Sequence, residues 1–143
     1  MQLRKILHPT DLSENSRAAF DIACSLARDY KAELFVVHVN KPPHVFAPDG
    51  IAMGVPAEDP LELRTQLAQV RPAAAGVTVQ HRLLEGDAGE EILKVANVEG
   101  VDMIVMGTHG ATGLRRLLMG SVAEHVLRHA PCPVLTVRAP AKA

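Results

Sequence analysis

MIVMGTHGATGLRRLLMGSVAEHVLRHAPCPVLTV, residues 103 to 137, decides the architecture. It opens with four consecutive apolar residues, Met103 to Met106, and passes through a glycine-rich connection, Gly107 to Ser121. An amphipathic stretch follows from Ser121 to His129, then a second apolar run from Pro133 to Val137. A strand that is apolar at every position is buried on both faces, as in a parallel sheet covered by helices. Strand, helix, strand in that order is the right-handed crossover unit of such a sheet. Ser121 followed by Glu124 has the spacing of two side chains that reciprocally satisfy the free amides of a helix start.

The same alternation runs upstream. Leu3 to His8, Glu33 to Val39 and Val77 to Leu84 read as strands, and Ser13 to Tyr30, Pro60 to Val70 and Asp87 to Val98 as helices. In the first helix Ala18, Ala19, Ile22, Ala23, Leu26 and Ala27 form the apolar stripe, with Ser13 as its N-cap. Asp87 and Glu90 repeat the capping spacing at the third helix. FVVHV, residues 35 to 39, belongs in the middle of the sheet. VTVQHRL, residues 77 to 83, alternates Val77, Val79, His81 and Leu83 against Thr78, Gln80 and Arg82, which places it at an edge. The fold class is therefore α/β: a single open parallel five-stranded sheet with helices on both faces, one domain over residues 1 to 143 with a short tail at 139 to 143.

Lys41 to Asp59 carries Pro42, Pro43, Pro48, Gly50, Gly54 and Pro56, which excludes a regular element. A loop of that length is a lid or site wall, or a plain connection.

Open parallel sheets bind ligands at the carboxyl ends of their strands, where successive connections leave in opposite directions. Two turns lie there: HPTDLS, residues 8 to 13, after the first strand, and Gly107 to Ser121 after the fourth. Only the strand order 3-2-1-4-5 makes them neighbours, and the edge reading of the third strand supports it independently. Gly107, Gly110, Gly113 and Gly120 allow close backbone approach to an anion, and the helix opening at Ser121 favours negative charge. Together these make a phosphate site. Arg115 and Arg116 either add charge-assisted contacts or form a solvated pair. No GxxxxGK[ST] P-loop occurs, and the glycines are spaced GxxGxxG where a dinucleotide fold needs GxGxxG.

Other classes are excluded by composition. A net charge of −1 gives no global field for nucleic acid or an anionic membrane. Hydrophobic residues make up 48% but aromatics only 3%, so aliphatic side chains must fill the core. Cys24 and Cys132 are too few and too far apart for a disulfide framework or a zinc motif. No apolar stretch approaches a membrane span or a signal segment, so a cytoplasmic protein is expected. His125 and His129 have metal-ligand spacing, but HExxH is absent, and no GxSxG elbow presents a nucleophile. His8, His38 and His109 map near strand ends, where the expectation is packing or solvation, with ligand contact as the alternative.

Gly107, two residues, Gly110, nine residues, then Gly120 and Ser121 resembles the pattern of ATP-binding members of the universal stress protein family. HPTDLSENS (8 to 16), VVHV (36 to 39), EGDAGEEIL (85 to 93) and APCPVLTVR (130 to 138) are similar to other segments of that family, so the resemblance spans nearly the whole chain and is weakest between 41 and 75. It implies the adenine nucleotide alpha hydrolase-like fold and a regulatory role in stress response, with slow ATP hydrolysis or an unoccupied dimeric interaction protein as alternatives. It also implies residue roles: Asp11 on the ribose hydroxyls, Val39 backbone groups on the adenine, and amides of Gly110, Gly120, Ser121 and Val122 on the phosphates. Gly107, His109 and Arg115 would complete the nucleotide site, and Pro9 and Thr10 would shape the turn. Asp11 has a rival use as a cap of the first helix. Mg²⁺ would arrive with the triphosphate, whose oxygens supply its ligands. The family further implies a homodimer through the last strand, Val134 to Val137, an apolar edge that benefits from cover.

Overall fold

The computed structural model describes residues 2–41, 58–108 and 120–139. The strands are β1 (Lys5–Pro9), β2 (Glu33–Asn40), β3 (Thr78–Glu85), β4 (Met103–Gly107) and β5 (Val134–Val137). The helices are α1 (Arg17–Tyr30, entered through a 3-10 turn at Glu14–Ser16), α2 (Pro60–Ala68), α3 (Ala88–Glu99) and α4 (Ser121–His129). All pairings are parallel, in the order β3-β2-β1-β4-β5. The expected order holds, and β3 is an edge. The 41–59 loop falls almost wholly outside the described residues, as does most of the 139–143 tail.

The sheet separates two apolar layers. Leu7, Phe35, Val37, Ile104 and Met106 face α3 and α4, while Ile6, Leu34, Val36 and Val105 face α1 and α2. The stripe of α1 is rotated from the expected one. Ala19, Phe20, Ala23 and Ala27 are buried, whereas Ile22 is 37% exposed. Three alanines at helical spacing let the backbone lie close to the sheet, and Phe20 then fills the flank that Ile22 was expected to fill. Among the described residues no helix is long and apolar enough to cross a membrane.

Two of the expected caps fail. Ser13 makes no side-chain cap bond, and α1 proper starts only at Arg17. At α4 the N-cap is Gly120, with Ser121 already the first helical residue and Glu124 turned to Arg128 at 2.8 Å. Asp87 does cap α3, accepting from the Glu90 amide at 3.1 Å. Sequence spacing alone does not distinguish the residue before a helix from the first residue inside it.

The sheet splits between β1 and β4. β1 stays in register with β2 from Lys5↔Glu33 to Pro9↔Val37, but with β4 only through Ile6↔Met103 and Leu7↔Ile104. In a parallel ladder the next bond would run from the backbone nitrogen of residue 9 to the Val105 carbonyl. Pro9 has no N–H to give. The His8 imidazole takes over that carbonyl, with Nδ1 donating to the Val105 oxygen at 2.9 Å. The two central strands therefore diverge where the crossovers leave for opposite faces, and a crevice opens there.

Candidate functional site

The crevice widens into a cleft of about 320 Å³ at the carboxyl ends of β1, β2 and β4. Its first wall is the turn after β1, where Pro9, Thr10, Asp11 and Ser16 face the space. Thr10 Oγ1 accepts from the Leu12 amide at 3.0 Å and lies 2.9 Å from Ser16 Oγ, which donates to the Ser13 carbonyl at 2.8 Å. With its own proton committed there, Ser16 Oγ accepts from Thr10. Leu12 holds a left-handed φ of 68°. That conformation costs a non-glycine residue about 1–2 kcal/mol, which these local bonds offset.

Asp11 is fixed by the same turn. Oδ1 accepts from the Ser13 amide at 2.9 Å and from the Ser13 hydroxyl at 2.5 Å. Oδ2 is buried with no partner among the described residues. The carboxylate thus braces the turn with one oxygen and does not cap α1, which begins further on. A buried carboxylate oxygen without a donor is costly, so this one calls for a donor beyond the described residues.

The second wall is the end of β2. Val37 and Val39 line the cleft with Ala88 and Ile92 of α3, and Met106 joins them from β4. This side is an apolar slot. The Thr10 amide donates to the Val37 carbonyl at 2.8 Å, so backbone groups of odd-numbered residues in β2 point toward β1. The Gly86 amide donates to the Asn40 carbonyl at 3.0 Å, so those of even-numbered residues point toward β3. Val39 therefore directs its N–H and C=O toward the β1 side, past the last β1 residue paired with β2.

The third wall joins Gly107 and Thr108 at the end of β4 to Gly120, Ser121, Val122 and Ala123 at the start of α4. The Gly120 amide donates to the Thr108 carbonyl at 2.7 Å, which returns the chain to the sheet end it left. Gly120 has φ −61° and ψ 156°, open to every residue type, so glycine is not needed there for conformation. What it supplies is space. Gly120 has no side chain to cap α4, so among the described residues the first-turn amides of Ser121, Val122 and Ala123 have no capping side chain. Uncapped amides with the helix dipole behind them form an anion site.

Of the residues expected at the site, Pro9, Thr10, Asp11, Val39, Gly107, Gly120, Ser121 and Val122 line this one cleft. His109, Gly110 and Arg115 lie outside the described residues, as does Arg116. Not foreseen were Ser16, Thr108, Ala123 and the apolar slot of Val37, Ala88, Ile92 and Met106. Thr108 had a signal in its place inside the glycine-rich segment. The slot residues had none, because they read as ordinary core.

The histidines divide by environment. His8 is fully buried against Phe20, with ring centroids 5.5 Å apart. Burial lowers its pKa to about 4, against the raising pull of the Val105 carbonyl and the Asp11 charge. It is neutral at physiological pH, and Nε2 has no partner among the described residues. His38 faces the cleft and donates through Nδ1 to the Thr10 carbonyl at 2.9 Å. Burial pushes the Cys24 thiol up to about 11 and raises that of Cys132, so neither is an activated thiolate. No group of three or more metal-binding side chains occurs among the described residues, and His129 bonds back to the His125 carbonyl.

An apolar slot, a bare carboxylate oxygen and an uncapped helix start converge on one cleft. Chemically this suits a ligand with a flat apolar part, hydroxyls in the middle and an anionic end.

Comparison with known proteins gives the family and the fold. The sequence pattern of the Universal stress protein family matches residues 2–138. Universal stress protein MJ0531 of Methanocaldococcus jannaschii is 38% identical over 151 residues, covering 97% of this chain and 84% of that protein. Universal stress protein UspA from Lactobacillus plantarum has a similar structure, with a TM-score of 0.76 at 24% identity, covering 96% of this chain and 99% of its own. A universal stress protein solved in complex with cAMP has a TM-score of 0.72 at 21% identity, covering 98% and 100%. Those two likenesses establish the fold.

Proposed function

This chain belongs to the universal stress protein family, and from that premise we propose that it is a regulatory module whose ligand is ATP. The observation that carries the reading is the pairing, in one cleft, of an uncapped α4 start with the buried Oδ2 of Asp11. Few ligands other than a nucleotide present an anion to the first and a hydroxyl donor to the second while filling an apolar slot.

In this reading the adenine lies in the slot against Val39. Its N1 accepts from the Val39 N–H and its amino group donates to the Val39 carbonyl. The ribose hydroxyls donate to Asp11 Oδ2. The phosphates take the amides of Gly120, Ser121 and Val122, with Gly107 keeping the approach open and Gly110, His109 and Arg115 completing the set. Mg²⁺ enters with the triphosphate and neutralises part of its charge. A related protein solved with a cyclic adenine nucleotide supports the ligand class.

Binding is the function proposed here, with nucleotide occupancy altering what partners meet and the whole chain acting as one cytoplasmic domain. The partner surface is the β5 edge. Leu135 there is 38% exposed at the end of the sheet, which suits a second copy of the chain.

Calorimetric titration with ATP and Mg²⁺, preceded by mass analysis of nucleotide released from the purified protein, tests the reading. Saturable binding at or below millimolar ATP is expected, and its absence overturns the proposal. A phosphate-release assay decides between a binding module and a slow ATPase.

A further inference from the structure

The β1–β2 ladder stops one step short of where its geometry allows. Its last pair is Pro9↔Val37, closed by the Thr10 amide on the Val37 carbonyl at 2.8 Å. The next bond would carry the Val39 N–H to the Thr10 carbonyl and add the pair Thr10↔His38. That pair does not form. Both backbone groups are present, since neither residue is proline. What intervenes is the His38 side chain, whose Nδ1 donates to the Thr10 carbonyl at 2.9 Å. A carbonyl only accepts, so Nδ1 carries the proton in this contact.

We propose that His38 is a positioning residue that takes the Thr10 carbonyl and thereby leaves the Val39 N–H to read the ligand's base. A backbone amide left unpaired at a strand end would ordinarily close onto the nearest carbonyl, here Thr10. A carbonyl can accept twice, but with the imidazole bonded to this oxygen and holding the Thr10–Asp11 peptide the ladder pair does not form, so the strand end stays open and the Asp11 turn stays in place. His8 does the corresponding thing on the other side of β1, where its Nδ1 fills the Val105 carbonyl that Pro9 cannot reach. Two imidazoles thus take the carbonyls at the ends of the two ladders that flank the cleft. The difference is in what each leaves behind among the described residues: at Pro9 no donor remains, whereas at Val39 one does.

The base-reading half of this inference rests on the nucleotide reading above; the ladder half does not. Asparagine places its amide nitrogen close to the position of Nδ1, so His38→Asn keeps the donor, while His38→Leu removes it. Backbone hydrogen exchange of Val39, followed by NMR in the nucleotide-free protein, is the direct measure. We expect fast exchange in the wild type and in His38→Asn, and slowing of tenfold or more in His38→Leu as the amide closes onto Thr10. Equal exchange in all three proteins overturns the inference. If His38→Leu does not fold, His38→Gln, whose nitrogen lies at the reach of Nε2, replaces it.

The second readout is selectivity between ATP and inosine triphosphate, which carries N1–H where adenine has an acceptor. Losing one hydrogen bond to N1 corresponds to about a tenfold change. The ATP preference should fall by about that factor in His38→Leu and stay within about twofold in His38→Asn. A preference unchanged in both, with wild-type ATP binding intact, sinks the base-reading half alone. Absence of nucleotide binding in the wild type instead sinks the nucleotide reading and leaves the exchange result to judge His38.

Discussion

Two helices begin at the carboxyl end of the sheet and face the same cleft, α3 through Ala88 and α4 through Ser121, yet they begin in opposite ways. α3 caps itself. Asp87 accepts from the Glu90 amide, and Glu90 and Glu91 add negative charge to the first turn. α4 has glycine where α3 has aspartate, and the acid of its first turn, Glu124, is drawn away to Arg128. A helix start that is already satisfied and acidic repels an anion, while one whose N-cap residue has no side chain, as at Gly120, leaves its first-turn amides open to one among the described residues. The same local device thus yields an apolar wall on one side of the cleft and a phosphate cradle on the other.

The comparison breaks most completely at Gly120. Gly120→Asp converts the α4 start into a copy of the α3 start, placing a carboxylate where phosphate would lie. We expect no measurable binding at millimolar ATP by calorimetry. The backbone angles there suit an aspartate cap, so the melting temperature should stay level or rise slightly. Retained affinity would show that α4 does not hold the phosphates.

Next in size is the split on which both helices depend. The folded-state pKa of His8, about 4, lies below its ordinary 6.5, so the unfolded chain binds its proton first as pH falls. Stability contributed through neutral His8 is complete above pH 6.5, declines below it and is exhausted near pH 4, for a total of about 3 kcal/mol. His8→Asn keeps a donor for the Val105 carbonyl but does not titrate. Urea unfolding of both proteins at pH 7 and pH 4.5 should show the wild type losing more by most of that amount, and parallel losses would refute the assignment.

The remaining two changes should separate stability from binding. Asp87→Ala removes the α3 cap, at about 1 kcal/mol of stability by chemical denaturation, with ATP affinity within about twofold of wild type. A large affinity change would mean that α3 does more than wall the base. Smallest is Glu124→Gln, which breaks an exposed ion pair with Arg128, both side chains roughly half or more open to solvent. Its cost should not exceed about 0.5 kcal/mol in the same assay, with binding unaffected.

The site was legible in the sequence to unequal depth. Gly120, Ser121 and Asp11 announce themselves by type and spacing, and they share the cleft. Pro9 was expected to shape a turn, whereas its position shows it ending the β1–β4 ladder by lacking a donor. The imidazole bonds left no trace in local pattern, because His8 reaches a carbonyl 97 residues away and His38 one 28 residues back. The caps at Ser13 and Ser121 were over-read, since a serine beside a helix start fits the spacing whether or not it is the cap.

By itself the sequence determined the alternation of strand and helix, the edge position of β3 and the strand order, because burial on one face or two leaves a period that short segments carry on their own. It also determined that a glycine-rich turn would meet an aspartate-bearing one. Only the tertiary structure decided that the β1–β4 ladder breaks at Pro9, which oxygen of Asp11 is left bare, and that two histidines occupy the carboxyl-end carbonyls of their neighbours. Those outcomes depend on which groups remain without a partner after distant strands have paired, and no single stretch of chain records that remainder.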